Sequence, residues 1–179
     1  MLLKWEIEVN ILYMSDNSST DNIQHLWTLA CENSSIDRDS NNVSLFNILE
    51  QVTLNENQVK NAKVKQQRSD ITVPVKFQLV SLWHRLEMNE EEEIETGLEF
   101  LSPEGVSLLS RKMVIKFGSG KKRFRFRAKF EGLKITTVGL YHFRFSKVLP
   151  DGQWQEITRV PLEIKTVKKT ADAPADKNQ

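Results

Sequence analysis

The sequence is poor in cysteine, and this excludes several kinds of protein at once. Cys31 is the only cysteine in 179 residues, so no disulfide can form within the chain and no C-x-x-C pair is present to bind zinc. A lone thiol persists best in a reducing compartment. The start of the chain also lacks the basic segment and small-residue cleavage site of a signal peptide. We therefore expect a cytoplasmic protein.

Long apolar runs are missing as well. No stretch approaches the roughly 18 consecutive apolar residues of a transmembrane helix, and we expect no association with membranes. The 25 basic and 24 acidic side chains nearly cancel to a net charge of +1. That charge provides no global attraction to nucleic acid or to a lipid surface. A charged partner must therefore be recognised by a local cluster.

The motifs of catalysis and cofactor binding are absent too. The sequence has neither a G-x-S-x-G nucleophile elbow nor a glycine-rich phosphate loop. The three histidines lie far apart, and no two have the spacing of metal ligands; they are His25, His84 and His142. We therefore expect no enzyme, no cofactor and no metal site, and we interpret Cys31 as a buried, inert thiol.

One segment begins like a calcium-binding loop. Residues 37–42 carry side-chain oxygens at alternate positions, in the order Asp-Arg-Asp-Ser-Asn-Asn. A calcium loop needs glycine at its sixth position and a bidentate glutamate at its twelfth. Asn42 and Ile48 occupy these two places, so we interpret the segment as an ordinary turn rich in Asp and Asn.

What the chain does have is alternation of apolar and polar residues in its last third. Residues 123–130, 141–145 and 160–164 all alternate with a period of two, which is typical of β-strands because successive side chains point to opposite faces. The pattern predicts a three-stranded antiparallel meander. Within it, Phe143 is expected in the core and His142 on the opposite face.

Further strands are expected upstream of this block. The segments are residues 25–31, 73–83, 94–100 and 106–117, whereas residues 43–54 fit either a short helix or a bulged strand. Many short strands separated by turns predict an all-β fold, an immunoglobulin-like antiparallel β-sandwich of seven to eight strands with at most one short helix. Tyr141 favours the sandwich, because a tyrosine in a late strand can bury its ring and hydrogen-bond nearby backbone.

The chain divides into one domain with two ends. Residues 1–20 form an N-terminal extension or an edge strand, since residues 5–13 alternate weakly. Residues 21–168 form the predicted sandwich domain, interrupted by a polar loop at 55–70. Residues 169–179 contain no core-forming residue larger than alanine, so we expect a disordered tail.

Several short stretches resemble a family of uncharacterised bacterial and phage-associated proteins. They are Leu-Ala-Cys-Glu at 29–32, Ser-Leu-Phe-Asn-Ile-Leu at 44–49, Val-Pro-Val at 73–75, Glu-Phe-Leu-Ser-Pro-Glu-Gly at 99–105, Gly-Leu-Tyr at 139–141 and Val-Pro-Leu-Glu-Ile at 160–164. The resemblance covers about residues 24–166, and its motifs are turns and strand cores. It implies an immunoglobulin-like fold and favours a strand at 43–54. It implies no activity, so no functional residues follow from it.

The strongest local feature is a row of basic residues. Alternation places five of them on one face of one strand; they are Lys121, Arg123, Arg125, Arg127 and Lys129. If the strand at 139–145 pairs with this one, Arg144 joins the same face. Like charges in a row repel, so anions are expected beside them. These anions are either cross-strand carboxylates of the chain, with Glu95, Glu99 and Glu163 as candidates, or an external phosphate or acidic protein.

These observations predict a non-catalytic interaction or structural module with a protein partner. The alternative function is binding of nucleic acid or another polyanion through the basic strand 121–129. Val80 and Leu82 fall on the polar face of their strand, and an exposed apolar pair of this kind marks an interaction surface. We therefore expect self-association into a homodimer through these two residues.

Overall fold

The computed structural model describes residues 22–57, 59, 71–87 and 91–167. The N-terminal extension at 1–20, most of the loop at 55–70 and the tail at 169–179 lie outside these residues, so the predictions about them stay predictions. Within the described ranges, no helix is long and apolar enough to cross a membrane.

The all-β prediction is confirmed. Within the described residues, eleven strands follow one another: β1 (Ile23–Ile36), β2 (Val43–Ile48), β3 (Gln51–Asn55), β4 (Ile71–Val73), β5 (Phe77–Arg85), β6 (Glu92–Leu101), β7 (Ser107–Phe117), β8 (Arg123–Phe130), β9 (Leu133–Ile135), β10 (Gly139–Val148) and β11 (Trp154–Val167).

The strands form two larger sheets and one small one. Sheet I has the order β2-β1-β5-β8, and sheet II has the order β3-β11-β10-β6-β7. Strands β4 and β9 pair with each other. The pair of β3 and β11 is parallel, and the other described pairs are antiparallel.

Aromatic rings join the two sheets. Phe143 of sheet II is fully buried, and its ring centroid lies 5.8 Å from that of Phe77 and 5.3 Å from that of Phe130, both in sheet I. Phe126 and Phe145 meet edge to face at 6.2 Å. Since such pairs contribute beyond their buried area, this contact layer holds the sheets together.

The predicted three-stranded meander is wrong in one strand. Strands β10 and β11 do pair, with Phe143 opposite Val160. Strand β8, however, pairs with β5 in sheet I, while β6 is the other neighbour of β10. The short β9 separates β8 from β10 and pairs with β4, so the chain changes sheets between the two strands. Alternation shows which side of a strand faces inward, but not which strand lies beside it.

The segment at 43–54 forms strands, and its helical reading is wrong. It contributes β2 to sheet I and β3 to sheet II, with a break at Leu49 and Glu50. Asn47 has a positive φ of 53°, a conformation that Asn tolerates better than most residues. Pro74 likewise separates β4 from β5 where one long strand was expected, because proline donates no ladder hydrogen bond. These divisions raise the strand number above the predicted seven or eight.

Tyr141 makes the local hydrogen bonds that its position predicts. Its buried ring stacks on Phe100 with 5.2 Å between centroids. Its hydroxyl donates to the Thr137 carbonyl at 2.6 Å and accepts from the backbone N–H of Thr136 and of Thr137 at 3.0 and 3.1 Å. One phenol thus satisfies three backbone groups of the turn before β10.

The opposite burial of two neighbours in β10 gives a first prediction. Phe143→Ala should lower the free energy of unfolding by about 3–5 kcal/mol, the usual cost of truncating a buried aromatic residue. His142→Ala, on the outer face, should change it by about 0.5 kcal/mol or less. Chemical denaturation of both variants tests this, and equal effects would contradict the assignment of the two faces.

The Tyr141 hydroxyl gives a second prediction. Tyr141→Phe keeps the ring contact but leaves two partly buried N–H groups without their acceptor, so it should cost about 1–3 kcal/mol of stability. Thr136→Val is the matched control, because its hydroxyl lies farther from the phenol, at 3.3 Å. Thermal and chemical unfolding of the two variants measure the difference. A Tyr141→Phe protein as stable as wild type would show that the hydroxyl contributes nothing.

Candidate interaction face

The basic residues of β8 point outward as a group. We call Lys121, Arg123, Arg125, Arg127 and Lys129 the basic face. Phe124, Phe126, Ala128 and Phe130 alternate with them and pack against the core. Lys121 lies in the turn before β8, where its N–H donates to the Gly118 carbonyl at 3.1 Å. The other four cations are part of the strand, and of the five only Arg125 is half-buried rather than exposed.

The neighbouring strand offers the basic face no carboxylate. The residues of β5 opposite its four strand cations are Gln78, Val80, Leu82 and His84. The glutamates predicted to balance the positive charges of the basic face all belong to sheet II, where they pair with other cations. Glu95 lies 3.4 Å from Lys112, Glu99 2.6 Å from Arg144 and Glu163 2.8 Å from Lys165. The predicted internal charge ladder is therefore wrong, because β8 is in the opposite sheet.

Arg144 does not belong to the basic face. It lies on β10 of sheet II, opposite Glu99 on β6. Its guanidinium donates two hydrogen bonds to the Glu99 carboxylate, at 2.9 Å from Nε and 2.6 Å from Nη2. Its charge is thereby satisfied within its own sheet, and Arg144 is withdrawn from the candidate binding residues of β8.

Arg125 is the one strand cation of the basic face with a partner among the described residues. It donates from Nη1 to the side-chain oxygen of Asn41 at 2.8 Å and from Nη2 to the Asn41 carbonyl at 2.6 Å. Both acceptors are neutral, so the positive charge of Arg125 is held in place but not cancelled. Sequence reasoning missed Asn41, because residues 84 positions apart give no local signal of their contact.

This contact shows where the turn between β1 and β2 lies. Strand β1 stops pairing with β5 at Cys31, while its pairing with β2 continues to Ile36. The hairpin therefore extends past the sheet, and its turn at residues 37–42 folds back over the outer face of sheet I to reach Arg125.

The predicted exposed pair Val80 and Leu82 is wrong for Val80. Both residues do face outward, opposite Arg127 and Arg125. Val80 is nevertheless only 2% exposed, and Leu82 is half-buried. Leu29 and Trp27 flank them on β1, and the folded-back turn lies over the same face. A covered pair offers no surface for self-association, so the expected homodimer loses this basis.

β8 is also an edge strand in the part of the chain that the structure describes. Beside it, between β8 and the edge strand β7 of sheet II, lies a mostly apolar groove of about 440 Å³. Its apolar lining consists of Leu98, Leu109, Met113, Phe126, Ala128 and Phe130. Arg111, Lys129, Glu131 and Gly132 complete its lining. Sequence reasoning missed the groove, because it requires knowing that β7 and β8 are facing edges.

Without a bound anion, the repulsion between the cations of the basic face destabilises the folded protein only modestly. Charges at alternate strand residues are about 6.8 Å apart, which gives roughly 0.6 kcal/mol of repulsion per adjacent pair in water. A carboxylate or phosphate about 4 Å from one cation returns roughly 1 kcal/mol. A row of anions following the strand would therefore reverse the sign of the local electrostatic energy.

A second groove, on the outer face of sheet II, has its charges already paired. It measures about 430 Å³ and contains Arg144 with Glu99. Trp154 lies in it and is 44% exposed. The Nζ of Lys112 is 5.1 Å from the centroid of the Trp154 ring and 3.4 Å from Glu95. Because these charged side chains pair with one another, the groove has no net local charge that could attract a ligand.

The remaining candidate residues are scattered. Within the described ranges, no three His, Cys, Asp or Glu side chains group closely enough to hold a metal ion. Burial lowers the pKa of His25, whose ring lies 5.0 Å from that of Trp83. Burial, and then the charge of Arg159, lower the pKa of His142. The structure does not bring the histidines together.

The turn at 37–42 uses its first oxygens internally. Asp37 accepts hydrogen bonds from the N–H and the hydroxyl of Ser40, at 2.7 and 2.6 Å. These bonds lower the pKa of the Asp37 carboxyl. The interpretation as a turn rich in Asp and Asn is confirmed.

Cys31 is fully buried, and burial raises the pKa of its thiol. Native protein should therefore react slowly with iodoacetamide, and urea-unfolded protein rapidly. Cys31 lies where the β1–β2 hairpin leaves sheet I, so Arg125→Leu, which removes the contact with Asn41, should speed native labelling several-fold. Arg127→Leu is the matched control. Equal labelling rates for both variants and wild type would show that the folded-back turn does not shield the thiol.

The function of the chain has to be inferred from the geometry of its structure. No protein-family model matches the sequence, and no curated protein matches it.

Proposed function

We propose that this protein is a non-catalytic interaction module with an immunoglobulin-like β-sandwich fold. Two features support the fold. Two sheets share one core of buried residues, and the Tyr141 hydroxyl donates to a carbonyl four residues upstream at 2.6 Å. Immunoglobulin-like domains use a tyrosine at this kind of corner in the same way. The fold in turn agrees with the bacterial and phage-associated family that the sequence resembles.

The partner surface in this proposal is the basic face, and its partner is an acidic protein. One observation carries this choice: within the described ranges, Arg123, Arg127 and Lys129 have no ion-pair partner, and the strand beside them supplies no carboxylate. By contrast, the cations Lys112 and Lys116 of the other edge strand, β7, pair with Glu95 and Glu93. Two cations of β7 are thus paired with carboxylates, whereas three cations of β8 have no ion-pair partner among the described residues.

Binding of nucleic acid or another polyanion is the second candidate. The regular row of cations along β8 favours it, because a backbone of phosphates also presents charges in a row. The orientation of the aromatic residues argues against it. Binding of single strands generally uses exposed rings on which bases stack, and Phe124, Phe126 and Phe130 pack against the core instead. An acidic protein therefore remains the first candidate.

Salt-dependent retention tests the proposal. Wild type should be retained on immobilised polyglutamate at low salt and elute as salt rises, since the contacts are electrostatic. Arg123→Gln combined with Arg127→Gln should elute at clearly lower salt. Lys112→Gln combined with Lys116→Gln is the matched control, because it removes the same charge from the other edge strand and should elute like wild type.

Two results would count against this assignment. If wild type passes through polyglutamate at low salt, or if both double variants elute alike, the basic face is not the interaction surface. If single-stranded DNA retains wild type to much higher salt than polyglutamate does, and this retention needs Arg123 and Arg127, the nucleic-acid alternative replaces the acidic protein.

A further inference from the structure

Strand β8 presents more than charge to its surroundings. In the described part of sheet I it has β5 on one side and no strand on the other. An edge strand of this kind carries a row of N–H and C=O groups that can pair with another chain. The same element therefore offers backbone hydrogen bonds, a charged outer row and an apolar inner row.

The outer row specifies the charge of an added strand. Residues directly opposite one another on neighbouring strands lie about 4.5–5.5 Å apart between Cβ atoms, and opposite charges there stabilise the pair. On the β5 side, the residues opposite Arg123, Arg127 and Lys129 include no carboxylate. On the free side of β8, an added strand with carboxylates at alternate positions would place one carboxylate opposite each cation.

The inner row specifies apolar residues at the positions in between. Phe126, Ala128 and Phe130 face inward from β8 and form one wall of the apolar groove. Leu109 and Met113 of β7 form the other wall. Side chains that alternate with the carboxylates of an added strand would enter this groove, because successive residues of a strand point to opposite faces.

We propose that β8 binds an extended segment of a partner protein in which acidic and apolar residues alternate, by adding it as a further strand to sheet I. This inference rests on the proposed function and names its binding mode. Strand addition takes affinity from the main chain and specificity from alternate side chains. Both kinds of contact are available at β8.

The edge strand β7 of sheet II does not fit the same partner. On β7 the outward cations Lys112 and Lys116 already pair with Glu95 and Glu93 of the neighbouring strand β6, so an acidic strand would gain little there. Pairing of β8 with β8 of a second copy is opposed by like charges placed face to face. Charged edges often serve to prevent such self-pairing, and here the same charges select an acidic strand.

The test uses short labelled peptides and the full-length protein in fluorescence anisotropy. A peptide alternating glutamate and valine should bind. Three peptides of the same length should bind about tenfold more weakly or worse, because each removes one class of contact. One has lysine for glutamate, one has serine for valine, and one is N-methylated along the edge that would pair with β8.

Variants of the protein locate the site. Arg123→Gln combined with Arg127→Gln should weaken the glutamate–valine peptide about tenfold, because two cross-strand pairs are lost. Lys112→Gln combined with Lys116→Gln should leave its affinity unchanged. Circular dichroism and thermal unfolding establish that both double variants are folded.

The outcomes separate this inference from the proposed function. If the serine-containing or N-methylated peptide binds as well as the parent, strand addition is wrong, while an acid-binding basic face stands. If no peptide binds and polyglutamate retains nothing, both fail. If a single-stranded oligonucleotide displaces the parent peptide and binds more tightly, the site belongs to nucleic acid.

The chain also contains an alternating segment of its own, residues 5–11, with Glu6 and Glu8 between apolar residues. It lies outside the described residues and is the competing occupant. Glu6→Lys combined with Glu8→Lys should leave the peptide affinity unchanged. A gain in affinity would overturn the proposal of a separate partner and assign β8 to this segment.

Discussion

The contact of Phe143 with the rings of Phe77 and Phe130 is the interaction on which the rest of the structure depends. It joins a central strand of sheet II to two strands of sheet I. Because Phe130 must face this core, every second residue of β8 must face away from it. The outward direction of the cations between Arg123 and Lys129 is thus a consequence of packing between the sheets. A hydrophobic constraint therefore fixes the position of the basic face.

Charge is arranged differently in the two sheets. In sheet II, Lys112, Lys116 and Arg144 meet carboxylates on neighbouring strands, and Arg144 lies 2.6 Å from Glu99. In sheet I the row beside β8 is largely uncharged, and Arg125 is held by the neutral oxygens of Asn41. A net charge of +1 therefore conceals a local difference, since Lys112 and Lys116 of β7 are paired with glutamates and the described part of β8 has no carboxylate beside it.

The sequence predicted the parts that depend on local periodicity. The all-β class, the inward side of β8 and β10 and the hydrogen bonding of Tyr141 all follow from alternation or from residue type within a few positions. Three features could not be predicted in this way, because they depend on which strands lie side by side. They are the strand that pairs with β8, the ion pair of Arg144 and the burial of Val80. Short β9 carries the chain from sheet I to sheet II, and three residues give too weak a pattern to reveal such a crossing. Asn41 and the apolar groove depend on pairings distant in sequence and were missed for the same reason.

The covered outer face of sheet I bears on how β8 can be used. The turn at 37–42 reaches over this face and ends on Arg125, so the approach to the basic face from above is partly filled. The edge itself, with Arg127 and Lys129 exposed beside it, is left open by the described residues. A partner that lies flat across the face, as a nucleic-acid strand would, must compete with the turn. A partner that adds alongside β8 in the plane of the sheet does not, and it can reach the cations and the apolar groove together. The position of one turn therefore favours strand addition over surface adsorption.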